Sequence, residues 1–208
     1  MKYYSGAGIL PVIIYNNKPY YIVFNISKKF ITDAGGKKEY TDDILETACR
    51  ELFEESAGLI RINKNILHEN SIYFDIKHKD KYYRSYIIII NKIDTKYYDK
   101  NLKKINKFNY NPFAETHGIE LIDFNSIYKS NILIDNLTNK VFILTPRLNT
   151  IIKKILKKYN NFNKLYLDLI KNIKIIRLQK KKINVKTYEY YTNTPIEIKS
   201  IIIYKNIT

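Results

Sequence analysis

The chain contains no tryptophan, a single cysteine (Cys49) and few backbone punctuators: six glycines and five prolines in 208 residues. One cysteine excludes an internal disulfide, and with it the small secreted folds that depend on several. Long hydrophobic runs are missing too. Stretches such as YIIII (86–90) fall far short of the roughly 20 apolar residues that span a bilayer. GAGILPVII, after a lone Lys2, has no small-residue cleavage site behind it and reads as a strand, not a signal peptide. The expectation is a soluble, intracellular, cytoplasmic protein without membrane attachment. What is present is a 45% hydrophobic content, enough to bury a core, and a formal net charge of +16.

That charge is unevenly spread. Residues 1–60 carry seven basic and eight acidic side chains, a net of −1, whereas 61–208 carry 29 and 12, a net of +17. A field of that sign attracts polyanions. Lysine- and asparagine-rich composition is also what AT-rich coding produces, so the excess alone does not identify a partner.

Residues 5–14 and 18–26 read as two β-branched and aromatic strands, expected to pair as a hairpin across their short YNN connection. The Gly-rich TDAGG follows as a loop. From Asp42 or Asp43 to about Ala57 the period becomes helical, with Ile44, Leu45, Ala48 and Leu52 on one face. Asp43 and Glu46 fit a capping box, and Gly58 can end the helix in a left-handed conformation. Strands are expected at 71–78, 82–91 and 119–124, and a loop or short helix over 92–114. Thr145 and Pro146 open an amphipathic helix buried along Leu148, Ile151, Ile152, Ile155 and Leu156. A second follows over 161–174, then an alternating terminal hairpin. The order is α+β with a mixed sheet, not repeated βα units. Residues 1–174 form the main domain; 175–208 form a basic hairpin extension packed on it.

On the acidic helix, Glu51, Glu54 and Glu55 stand at i, i+3 and i+4, three like charges on one face. Arg50 can neutralise one of them. A hard divalent cation, Mg²⁺ or Mn²⁺, suits such an oxygen set and is commonly completed by substrate phosphates. A solvated acidic helix face is the alternative that spacing alone leaves open.

The wider pattern narrows the choice. Gly36, five residues, Asp42, seven residues and then RELFEE closely resembles the Nudix box, G-x5-E-x7-R-E-U-x-E-E-x-G-U with U aliphatic. AGILPV and DAGGKKE upstream are similar to the strand and loop that precede it. The resemblance implies an α/β/α sandwich that cleaves the pyrophosphate bond of a nucleoside diphosphate linked to another group. It implies metal ligation by Glu51, Glu54, Glu55 and the carbonyl of Gly35, with Arg50 orienting the glutamates. The general base varies in the family: a box glutamate, or a later acidic residue, for which Glu115 is the leading candidate beside His117, Glu120 and Asp123. Two positions depart from the box. Asp42 stands in place of the usual glutamate, where it can also serve as a helix N-cap, and Ala57 is an extra residue before Gly58 that displaces the helix end.

The box leaves the substrate open. Tyr82, Tyr83 and Arg84 carry the chemistry to stack on a base and hold phosphate. Lys153, Lys154, Lys157 and Lys158, and the cluster at 177–182, suit RNA or plain solvation. Three functions remain: hydrolysis of a free nucleotide derivative, removal of the 5′ cap from RNA held on the basic half, or a non-catalytic binding module. Some large DNA viruses encode decapping proteins of this family, and the host cytoplasm would then be the location. Homodimers are common in the family.

Overall fold

The computed structural model describes residues 2–16, 18–90, 97–99, 101, 116–136 and 138–172. The expected terminal hairpin, the 177–182 cluster and Glu115 lie outside them.

Ten strands and four helices form the described structure. The strands are β1 (Tyr4–Tyr15), β2 (Lys18–Asn25), β3 (Phe30–Thr32), β4 (Ala34–Lys37), β5 (Ser71–His78), β6 (Lys81–Ile89), β7 (Gly118–Asp123), β8 (Ile127–Lys129), β9 (Ile132–Ile134) and β10 (Val141–Leu144). The helices are α1 (Ile44–Glu55), α2 (Lys64–Asn70), α3 (Pro146–Lys158) and α4 (Phe162–Asn172). The sheet runs β5-β6-β1-β2-β3-β10-β9-β8, with β4 added to β1 and β7 to β2. It is mixed: β1 with β6 and β3 with β10 are parallel, the other pairs antiparallel.

Alternation along the strands builds two cores. Ala7, Ile9 and Ile13 of β1 and Tyr86 and Ile88 of β6 pack with Ala48 and Leu52 of α1 and Leu67 of α2. Leu10 and Val12 of β1 and Ile87 of β6 point the other way, onto Leu148, Ile151, Ile152 and Ile155 of α3 and Leu165 and Leu169 of α4. Helices therefore cover both faces, giving the expected three-layer α/β/α arrangement. Burial on both faces explains why 86–90 is an unbroken apolar run and not an alternating one. Among the described residues no helix is long and apolar enough to cross a membrane.

The site is positioned by one detail of the sheet. β1 and β2 pair at Val12–Tyr15 with Lys18–Tyr21 and then separate. The following segment pairs first with β2, as β3, and then steps at Asp33 onto β1, as β4. The TDAGG stretch expected to be a loop thus contains a strand, in register Gly6↔Lys37 to Ile9↔Ala34. Glycine gives no side-chain periodicity, so the sequence pattern does not show it. β4 pairs with β1 alone, which leaves its other edge without a strand partner among the described residues.

Candidate active site

The step at Asp33 delivers Gly35 and Gly36 beside α1. A capping box fixes that helix: the Glu46 N–H donates to Asp43 Oδ1 at 2.8 Å, and the Asp43 N–H to Glu46 Oε2 at 2.9 Å. Asp43, not Asp42, is the N-cap. Asp42 has another role, accepting from Arg50 Nε at 3.0 Å. Gly36 lies against the Glu51 carboxylate, and a Cβ there would collide with it. The box glycine is therefore needed for close approach.

Arg50 organises the acidic face. Its Nη1 donates to Glu51 Oε1 at 2.8 Å and to Glu54 Oε2 at 2.9 Å, and its Nη2 donates to the Lys37 carbonyl at 3.0 Å. Glu39 lies 3.7 Å from Nη1. Burial disfavours the charge on Arg50, but the Asp42 hydrogen bond and the Glu51 and Glu54 charges outweigh it and raise its pKa. Burial pushes the Glu54 carboxyl up to about 7 against the opposing Arg50 charge, with repulsion from Glu51 adding to the rise. One guanidinium is thus insufficient compensation for this face.

Glu55 is the most enclosed of the three glutamates, 7% exposed. Among the described residues no three acidic, His or Cys side chains converge as a ready-made cation cage. The donor set nonetheless fits a hard divalent ion. Oxygens of Glu51 and Glu54 already share one cationic nitrogen, and the charge deficit at Glu54 is what a cation would relieve.

The end of α1 is held from outside. Ser56 is the C-cap, and Ala57 and Gly58 both take positive φ, 50° and 75°. Ala57 is wholly buried in the core, so the extra residue is absorbed after the glutamates without shifting their spacing. The Thr116 hydroxyl donates to the Glu55 carbonyl at 3.0 Å, and Asn101 Nδ2 to the Ala57 carbonyl at 3.2 Å. Thr116 follows Glu115 directly in the chain. The other candidate bases have structural partners. Glu120 accepts from Lys140 and Asn25, and Asp123 accepts the Asn125 N–H at the end of β7. The His117 main chain extends the pairing to Asn25.

Tyr82, Tyr83 and Arg84 do not share one surface. Arg84 lies on the α1 side of the sheet, bound bidentately to Asp75 at 2.7 and 3.1 Å. It is flanked by the rings of Tyr73 and Tyr4, 3.9 and 4.6 Å from their centroids. The Tyr82 ring is 5.9 Å from that of Tyr4. Tyr83 points to the opposite face. Its hydroxyl lies against Gly8 and Gly35, where any side chain would collide, and donates to Asp33 Oδ2 at 3.1 Å. Asp33 also receives Arg147 Nε at 2.7 Å. Neither Asp33 nor Arg147 stands out in the sequence: they are 114 positions apart, and no local period links them.

No protein-family model matches the chain, and no curated protein does. Solved structures similar to it include a MutT/nudix family protein from Enterococcus faecalis (11% identity, TM-score 0.49, 76% of this chain and 62% of that one). The chain therefore spans under two thirds of that relative. Also similar are the Bacillus subtilis pyrophosphohydrolase BsRppH (15%, TM-score 0.42, 76% and 84%) and a bifunctional NMN adenylyltransferase/ADP ribose pyrophosphatase from Francisella tularensis complexed with AMP and a Mn ion (12%, TM-score 0.42, 76% and 42%). Likenesses this distant do not assign an activity to the chain; its own residues must carry one.

Proposed function

We propose that this chain is a divalent-cation-dependent Nudix pyrophosphohydrolase that cleaves the pyrophosphate bond of a nucleoside diphosphate linked to a further group. The carrying observation is the Arg50 junction, in which Asp42 braces the guanidinium while Glu51 and Glu54 share its Nη1. Glu51, Glu54, Glu55 and the Gly35 carbonyl would hold Mg²⁺ or Mn²⁺. The ion, when bound, supplies positive charge to phosphoryl oxygens, the main requirement of such transfers. Arg50 keeps the glutamates in register, Gly36 admits Glu51 to the sheet, and the packed core beneath α1 excludes water from behind the site. Glu115 is proposed as the base that takes the proton from the attacking water. Thr116, bound to the end of α1, supports that assignment.

Capped RNA is the second substrate reading. Lys153, Lys154, Lys157 and Lys158 are exposed on α3, on a chain with a net charge of +16. Both readings are tested by incubating the protein in Mg²⁺ with nucleoside triphosphates, ADP-ribose, dinucleoside polyphosphates, diphosphoinositol phosphates and capped RNA. Turnover of small diphosphates supports the first. Release of methylated GDP from long capped RNA, with little from free cap analogue and with RNA affinity falling steeply in salt, supports the second. RNA binding without turnover of any substrate would leave a non-catalytic module.

A further inference from the structure

Two arginines outside the box are bound to carboxylates, the partly buried Asp75 and the fully buried Asp33, and they differ in what they leave available. Arg84 has the Tyr4 and Tyr73 rings against its guanidinium, and gives Nε and Nη2 to Asp75 and Nη2 also to the Tyr4 hydroxyl. Arg147, in the first turn of α3, gives its Nε to Asp33 Oδ1 at 2.7 Å and its Nη2 to Thr32 Oγ1 at 3.1 Å and to the Asp33 carbonyl at 3.3 Å. These bonds fill one edge of the guanidinium. Nη1, on the opposite edge, has no hydrogen-bond partner among the described residues. The side chain is 30% exposed while its partner Asp33 is fully buried.

The surroundings fix this orientation. The Tyr83 ring lies 5.0 Å from the Arg147 guanidinium carbon, and the Tyr83 hydroxyl donates to the second oxygen of Asp33. Burial, followed by the Asp33 charge, holds that phenol protonated, so it remains a donor. Burial opposes the Arg147 charge, but the Asp33 carboxylate outweighs it, with Glu55 of the box helix also contributing. Asp33 is three residues before Gly36, which touches Glu51. Three residues span at most about 10 Å. Arg147 and Glu51 therefore flank the same short strand from opposite faces, and the edge of β4 between them has no strand partner among the described residues, its Lys37 carbonyl and the preceding Asp33 carbonyl accepting from Arg50 and Arg147.

We propose that Arg147 is a phosphate-binding residue, oriented by Asp33 and Tyr83, whose Nη1 holds the substrate diphosphate across the unpaired strand edge of β4 from the glutamate helix. The inference rests on the proposed pyrophosphate chemistry and adds a residue to it. Arginine suits the position because a planar fork can bind a carboxylate with one edge and phosphate with the other, whereas a lysine offers both partners a single nitrogen and no second edge. Asp33 and Tyr83 are positioning residues and do not touch substrate.

The test is equilibrium binding of imidodiphosphate, a P–N–P analogue of pyrophosphate, measured by calorimetry in Mg²⁺, with thermal melting as the control for folding. Arg147→Lys is expected to weaken binding about tenfold or more while a cooperative melt is retained. The double variant Asp33→Asn/Arg147→Gln replaces the ion pair by a neutral amide pair, so no charge is left buried, and should weaken binding at least as much. An unchanged Kd in either folded variant overturns the proposal, because a purely structural ion pair would move the melt and not the affinity. Binding is read without turnover, which separates this inference from the reaction. A protein that binds through Arg147 but hydrolyses nothing keeps the inference and loses the proposed function; hydrolysis with an unchanged Kd does the reverse.

Discussion

Arg50 Nε donates to Asp42 Oδ2 at 3.0 Å, so a short aspartate side chain eight positions upstream reaches and braces the arginine of the acidic helix. Removing that brace in Asp42→Ala should lower kcat/KM by roughly 10- to 100-fold, the usual cost of losing a group that orients ligands. Asp42→Glu should retain at least wild-type activity. Steady-state kinetics on whichever diphosphate is turned over will decide. Equal activity in Asp42→Ala would show that the brace is dispensable.

The Glu54 carboxyl, raised to about 7, makes stability depend on pH. A raised pKa means that the folded state binds the proton more tightly than the unfolded chain. The resulting stabilisation is complete below the unfolded value near 4.5 and is lost as pH rises through about 7. Without divalent ions, the melting temperature should therefore fall between pH 5 and about 7.5, by an amount on the order of 2 kcal/mol in stability. Glu54→Gln should flatten that slope. Mg²⁺ should stabilise more at the upper end, where the carboxylate is ionised. A wild-type melt that is flat across this range would contradict the assignment.

Much of this site is legible in the sequence because its signals are local. The capping box of Asp43 and Glu46, the apolar face of Ile44, Leu45, Ala48 and Leu52, and the spacing from Gly36 to Glu55 all lie within one helix and its approach. The strands at β1, β2, β5, β6 and β7 are visible for the same reason. Other parts escape. α2 has only seven residues, and β8, β9 and β10 only three or four each, too short to establish a period. The Asp33–Arg147 pair depends on the sheet bringing β3 against the start of α3, which no window of sequence contains.

Ala57 carries a φ of 50°, a region costing a non-glycine residue about 1 kcal/mol or more, yet its methyl is fully buried. Ala57→Gly should be close to neutral in urea unfolding, as relief of strain offsets the lost methyl and the added chain entropy. Ala57→Val should cost more than about 2 kcal/mol, because a β-branched side chain tolerates that conformation poorly and has no space there. Comparable stability for the valine variant would show that the helix end is not fixed in this way.

If Glu115 is the base, Glu115→Gln should lower kcat by about 100-fold or more with little change in KM, and should remove the acidic limb of the pH–rate profile. Retained kcat would shift the role to a box glutamate.

The proposed reaction requires the glutamates of α1 to act with a divalent cation. The measurement is product release from the diphosphate panel by wild type, Glu54→Gln and Glu55→Gln, each with Mg²⁺ and with chelator. The predicted result is Mg²⁺-dependent cleavage by wild type alone, with both variants folded. Full activity in both glutamine variants, or wild-type turnover that persists in chelator, would contradict it.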